Sequence, residues 1–156
     1  DKGIIYLDEL PLTQIAYNSL GESVGLLTDQ RGSILDGDLT ENISLGREGK
    51  LSFKRLFDIT GFDATLSMTI NPNELSDEQT ILILLMRALY EQPRLLLMDD
   101  IFSNLDQDSR ERILRGILTE FSFQPTVIFF GEDNVFSEYA NEHYSIRNNK
   151  INKIEW

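Results

Sequence analysis

The sequence predicts an α/β fold built on a parallel sheet, and three observations carry that expectation. Three short stretches, Val24–Thr28, Leu95–Met98 and Thr126–Phe130, are apolar almost throughout. Segments with helical periodicity or helix-start chemistry lie between them. The chain has 156 residues, of which 41% are hydrophobic and 26% charged, enough for one domain that buries roughly 70% of its unfolded surface. Strands with no polar side belong in a parallel sheet covered by helices on both faces.

Each element has its own warrant. Gly3–Leu7 (GIIYL) reads as a first strand and Val24–Thr28 (VGLLT) as a second. Residues 31–74 are rich in loops, with short helical patches around Leu39–Leu45 and Leu51–Asp58. Ser76–Tyr90 is a helix: Ser76 and Gln79 form the S-x-x-Q capping box, and Ile81–Met86 is apolar on every side, as in a buried helix. Pro93 ends it. A helix over about Gln107–Phe121 places Ile113, Leu114, Ile117, Leu118 and Phe121 on one face. Strand Thr126–Phe130 lies between Pro125 and Gly131, and a hairpin follows: His143–Arg147, an Asn148-Asn149 turn, then Lys150–Trp156.

Composition excludes several functions. There is no cysteine, hence no disulfide framework, thiolate zinc site or cysteine nucleophile, and a reducing compartment is expected. The longest apolar run, Ile81–Met86, is six residues, against the roughly 20 a membrane span needs. No stretch has the form of a signal peptide. Twenty-six acidic against 14 basic side chains give a formal charge of −12. That charge opposes a sequence-independent grip on nucleic acid or anionic lipid. The single histidine, His143, sits in the hairpin and reads as structural.

The stretch Leu75–Asp106 holds the chemistry. A strand ending in Asp99-Asp100 puts two carboxylates at the carboxyl edge of a sheet, where open α/β folds bind ligands. One suits a divalent metal and the other a water. Equally, acidic pairs after strands often do no more than begin a loop.

The order of segments resembles the nucleotide-binding domain of ABC transporters. The chain reads LLTDQ with Gln30, LSDEQ (Leu75–Gln79), MRALYEQP (Met86–Pro93), LLLMDD (Leu95–Asp100), SNLD (Ser103–Asp106) and TVIFFGE (Thr126–Glu132). In that family the matching pieces are the glutamine loop, the signature Leu-Ser-Gly-Gly-Gln, an Ala-Arg-Ala-Leu helix end, the Walker B strand, the Ser-Ala-Leu-Asp loop and the strand leading to a switch histidine. DGDLTENISLG (Asp36–Gly46) and GFDATL (Gly61–Leu66) are similar to the exporter branch. The resemblance implies a P-loop NTPase (ABC-type) fold over residues 1–156. The expected form is a partial domain: an incomplete parallel sheet with helices on both faces, and a helical subdomain of about residues 31–90 inserted in the α/β core.

By the same resemblance, Asp99 and Gln30 are metal positions for Mg2+. Gln30, Ser76, Asp77, Glu78, Gln79 and Asp106 are nucleotide positions for ATP, and Asp100 and Glu132 are catalytic ones. The implied partners are a transmembrane domain and a second ATP-binding domain, with no nucleic acid, on the cytoplasmic side of a membrane. The implied activity is an ATPase coupled to transport. A non-hydrolysing module that keeps the ABC shape for regulation or interaction is the alternative. A soluble ABC-type protein of DNA repair or translation fits the exporter-like stretches and the acidity less well.

Departures from the pattern matter as much. The family's G-x-x-x-x-G-K-[ST] loop does not occur in these residues, and Gly49-Lys50 is followed by Leu51. The resemblance places that loop ahead of the position matching Gly3, so the chain is expected to need this other half, in cis or from a partner. Asp77 and Glu78 stand where two glycines approach the partner's γ-phosphate. Each would add a like-charge penalty of about 3 kcal/mol at ~6 Å and an effective dielectric of ~20. In a first helical turn the same two acids favour the helix dipole. Asp100 stands for a glutamate, an arm shorter by one methylene, and Glu132 for the histidine. Metal ligation is expected to be kept and hydrolysis impaired. Leu51, Phe53, Leu56 and Phe57 suit either a subdomain core or a docking surface for a membrane domain.

Overall fold

A computed structural model describes residues 3–28, 33–63, 68–99, 102, 105–119, 124–131 and 134–154. At its centre is a parallel sheet of β3 (Val24–Leu27), β6 (Leu95–Asp99) and β7 (Thr126–Phe130), in the order β3-β6-β7. Leu26 lies opposite Leu97, and Leu97 opposite Ile128. Ahead of the sheet come the antiparallel pair β1 (Tyr6–Leu7) and β2 (Leu10–Pro11), then α1 (Tyr17–Ser23). Between β3 and β6 lie β4 (Gly37–Asp38), α2 (Leu39–Ser44), α3 (Phe53–Thr60), β5 (Thr69–Ile70) and α4 (Asp77–Leu89). α5 (Gln107–Thr119) joins β6 to β7, and β8 (His143–Arg147) with β9 (Lys150–Ile154) forms the closing hairpin.

Local chemistry accounts for these elements. Asp38 caps α2, its Oδ1 accepting the N–H groups of Thr40 (2.7 Å) and Glu41 (3.1 Å). Ser52 caps α3 by accepting the Arg55 N–H. The apolar run of α4 is buried as expected from Ile81 to Met86. Asn148 and Asn149, both at positive φ, make the hairpin turn. Where α4 crosses β3 the backbones nearly touch: a Cβ on Gly25 would sit 2.6 Å from the Ala88 carbonyl oxygen. Likewise Gly116 of α5 lies under the Ile59 carbonyl of α3, which a Cβ would meet at 2.2 Å.

Three expectations change. The first strand is shorter than Gly3–Leu7, comprising only Tyr6–Leu7, because its partner strand turns in at Leu10. α1 was not foreseen, since Tyr17–Ser23 buries none of its residues and so leaves no apolar stripe in the sequence. Most consequentially, the described helices cover the sheet on one face. Leu27, Leu96 and Met98 are wholly buried with Ile113, Leu114 and Ile117 of α5, and Val127 and Phe129 pack on the same cluster. On the opposite face Leu26, Ile128 and Phe130 are 52%, 41% and 49% exposed. The reason is topological: both crossovers step across the sheet in the same direction, and right-handed crossovers in one direction put their helices on one side.

The helical region is well filled. Leu56 is fully buried, and Leu51, Phe53 and Phe57 pack against the core, Phe53 stacking on Tyr90 at 5.4 Å between ring centroids. These residues therefore serve as core. Leu118 of α5 is at the surface, and Phe121 lies outside the described residues. Among the described residues no helix is long and apolar enough to cross a membrane.

Candidate functional site

Because β3, β6 and β7 are parallel, their carboxyl ends reach one edge of the sheet. The chain leaves that edge from Leu27 toward Gln30, from Asp99 toward Asp100, and from Phe130 toward Glu132. Gln30, Asp100 and Glu132 themselves lie outside the described residues, as do Ser103 and Asn104 of the SNLD stretch. Asp99 is described and exposed, opposite Phe130 across the β6–β7 pair. An exposed carboxylate at this edge is a hard oxygen donor suited to Mg2+, which takes one or two carboxylates plus phosphate oxygens. Among the described residues, no three His, Cys, Asp or Glu side chains cluster as a self-sufficient metal cage.

The second part of the site is the amino end of α4. Ser76 Oγ accepts the Gln79 N–H (3.1 Å), and Gln79 Oε1 accepts the Ser76 N–H (2.9 Å), completing the capping box. Both polar side chains are thus employed in starting the helix. Asp77 is exposed on the first turn, whereas Glu78 turns toward α5. Its Oε1 accepts from Arg112 Nη2 at 2.5 Å and from the Ser109 hydroxyl at 3.0 Å.

Asp106 completes this group. Its Oδ1 accepts the Ser109 N–H and its Oδ2 lies 3.0 Å from the Ser109 hydroxyl, so it caps α5. Those donors, backbone first, hold the Asp106 carboxyl below the usual carboxylate range. Ser109 is buried and has one hydroxyl proton to share between the carboxylates of Glu78 and Asp106. The structure therefore brings the LSDEQ segment and Asp106 together through Ser109 and Arg112. Arg112 also lines an open depression of about 420 Å³ between α3 and α5, with Asp58, Asp108, Glu111 and Arg115 around it. Its charges are of both signs.

Sequence reasoning passed over two participants, Ser109 and Arg112, which left no signal because they sit on an ordinary amphipathic helix. His143 is half-buried in β8 opposite Ile154, within the hairpin as expected.

No family model matches the chain. An uncharacterized ABC transporter ATP-binding protein, YfiB of Bacillus subtilis (strain 168), is 31% identical over 134 residues, covering 76% of this chain and 22% of YfiB. The Fe(3+) ions import ATP-binding protein FbpC of Serratia marcescens is 28% identical over 111 residues, covering 69% of this chain and 32% of FbpC. A solved bacterial Atm1-family ABC exporter with ATP bound superposes with a TM-score of 0.72 at 19% identity, covering 88% of this chain and 26% of the exporter chain. That likeness shows the fold, a P-loop NTPase type of mixed α/β architecture. The chain spans about a fifth to a third of the curated relatives it matches. Motif order, strand order and homology agree: the relatives of this chain are ABC transporter ATP-binding proteins, and it corresponds to part of their ATP-binding domain.

Proposed function

We propose that the chain is the carboxyl-terminal part of the ATP-binding domain of an exporter-like ABC membrane transporter. The whole domain couples ATP binding and hydrolysis to transport, with hydrolysis impaired. The observation that carries this reading is the shared sheet edge from which the chain runs to Gln30, Asp100 and Glu132, with Asp99 on it. Asp99 and Gln30 would hold Mg2+, and the ion would neutralise phosphate charge there. Asp100 and Glu132 hold the positions that orient the attacking water. Ser76, Asp77, Glu78, Gln79 and Asp106 form the half-site offered to a second ATP-binding domain. The helices between residues 31 and 90 act as the helical subdomain toward a transmembrane domain, on the cytoplasmic side of the membrane, and no nucleic acid is involved.

The triphosphate cradle of backbone N–H groups and a lysine belongs to a preceding segment. The open sheet face around Leu26, Ile128 and Phe130 and the outer edge of β7 leave room for that segment's helix and strand. A second reading, a module that keeps the ABC shape without turnover, is favoured by one observation. The Glu78 carboxylate is already engaged by Arg112 and Ser109, in place of a bare glycine backbone open to phosphate.

Titration with MgATP, with and without the preceding segment, tests the proposal. The 156-residue chain should bind no measurable MgATP. The longer protein, carrying a Gly-Lys-Ser/Thr loop, should bind it and release phosphate more slowly than ~1 s⁻¹, the low end of ordinary enzyme turnover. Failure of the longer protein to bind contradicts the proposal. Turnover well above that rate contradicts impaired hydrolysis alone.

A further inference from the structure

We propose that the tip of the β8–β9 hairpin is a docking surface for an acidic, extended polypeptide segment of a partner, which pairs with β9 and sets carboxylates against Arg147 and Lys150. The inference stands apart from the ATP-binding reading. The chain carries a net charge of −12, yet between Glu142 and Glu155 it has Arg147, Lys150 and Lys153 and no acid. The turn decides where those cations go. Asn148 (φ 50°) and Asn149 (φ 58°) form a two-residue loop that fixes the register of the two strands. Arg147 then lies directly opposite Lys150, and Ser145 opposite Asn152. Like charges directly opposite each other weaken a strand pair. Lys153 is engaged elsewhere, its Nζ donating to Glu142 Oε1 at 2.7 Å. Arg147 and Lys150 are both exposed, and among the described residues neither has an acidic partner. The tip thus holds two uncompensated cations side by side, an arrangement that a bound carboxylate relieves.

The rest of the hairpin selects the partner. Among the described residues β8 and β9 pair only with each other, and every residue of β9 is exposed, so its outer edge is a template for a further strand. Side chains alternate along a strand, so Lys150 and Asn152 share one face of β9, beside Arg147 and Ser145 of β8. An added strand with acids at alternate positions meets this row of donors while its backbone bonds to β9. Tyr144, Ile146 and Ile151 are exposed on the opposite face. A flat anionic bilayer therefore cannot meet the cations and the apolar groups together. The charge of the whole chain opposes nucleic acid.

Cations on an edge strand can also serve only to keep other strands away, and that role predicts no binding. The test titrates the 156-residue chain at low salt with a labelled peptide of alternating Thr and Glu, read by fluorescence anisotropy and by amide NMR shifts. Wild type is compared with Arg147→Gln, Lys150→Gln and Lys54→Gln, the last an exposed lysine of α3 with the same change of charge. Arg147→Gln and Lys150→Gln should each weaken binding about tenfold, as loss of one charge-assisted hydrogen bond does, and Lys54→Gln by less than about twofold. Shifts should concentrate in Lys150–Ile154, and a Thr-Gln peptide of equal length should not bind. Absence of saturable binding, equal weakening by Lys54→Gln, or shifts centred away from the hairpin overturns the inference. Tighter binding to phosphatidylserine vesicles or to inorganic phosphate than to the peptide overturns it as well, since the cations would then serve a lipid or a small anion.

Discussion

The two faces of the central sheet are built from the same three strands and differ in almost everything else. One face carries Leu27, Leu96 and Met98 at 0% exposure, sealed by helices, with a glycine at position 25 so that α4 lies on the backbone itself. The other carries Leu26, Ile128 and Phe130 at about half their full exposure. The side chains are equally apolar on both sides, so hydrophobicity does not decide which face is covered. The direction of the crossovers decides it. A face of this composition left to water is the mark of a surface meant to be covered. The difference teaches that the chain is self-sufficient wherever its contacts can be closed by its own crossovers, and open where closure needs chain running the other way.

The comparison breaks most readily by truncation on each face. Leu96→Ala should destabilise the protein by about 3 kcal/mol, since it leaves a cavity in a fully packed site. Ile128→Ala should cost about half as much, because that residue stays 41% exposed in the folded protein and loses less buried surface. Urea unfolding midpoints of the two variants give the contrast directly, and equal losses would erase it.

A second, smaller effect sharpens the picture of the closed region. Asn42→Ala removes the partner of the Leu35 N–H and of two carbonyls, and leaving such groups unmet when partly buried costs about 2 kcal/mol. Ser76→Ala should cost about 1 kcal/mol through loss of the helix cap. Both are read from thermal or urea melts of single variants.

The smallest effect is on pH dependence. The carboxyls of Asp38 and Asp106 are held below their ordinary value of 3.8, Asp38 chiefly by the Thr40 hydroxyl and Asp106 chiefly by the Ser109 N–H. A depressed folded pKa gives a contribution that is present above the unfolded value and lost as pH falls through the folded one. Asp106→Asn should therefore weaken the protein above about pH 5 and converge with the wild type as pH drops below the carboxylate range. Denaturation midpoints at neutral and acid pH check this, and a difference that grows on acidification would contradict it.

Much of this architecture was legible in the sequence, for reasons visible residue by residue. Thr126–Phe130 and the capping box at Ser76 and Gln79 announced themselves because their signals are local: β-branched and aromatic runs, and a hydroxyl three residues ahead of an amide. Leu95–Asp99 was legible by the same apolar run, and the order of the motifs made the family resemblance. The bare sheet face was not legible, because apolar alternation says that both faces can be buried and nothing about which way a crossover turns. The pairing of Glu78 with Arg112, 34 positions apart, was equally hidden, because only the tertiary fold brings the amino end of α4 to α5. Gln30, Asp100 and Glu132 rest on the sequence alone.

The most direct measurement is hydrogen exchange along Thr126–Phe130, compared between this chain and the longer protein that carries the preceding segment. β7 pairs with β6 on one side, and among the described residues no strand lies on its other side. The account predicts that the outward amides of β7 exchange rapidly in the short chain and become protected in the longer protein, while α4 is unchanged. Equal protection of β7 in both would contradict the claim that this is a one-sided part of an ATP-binding domain.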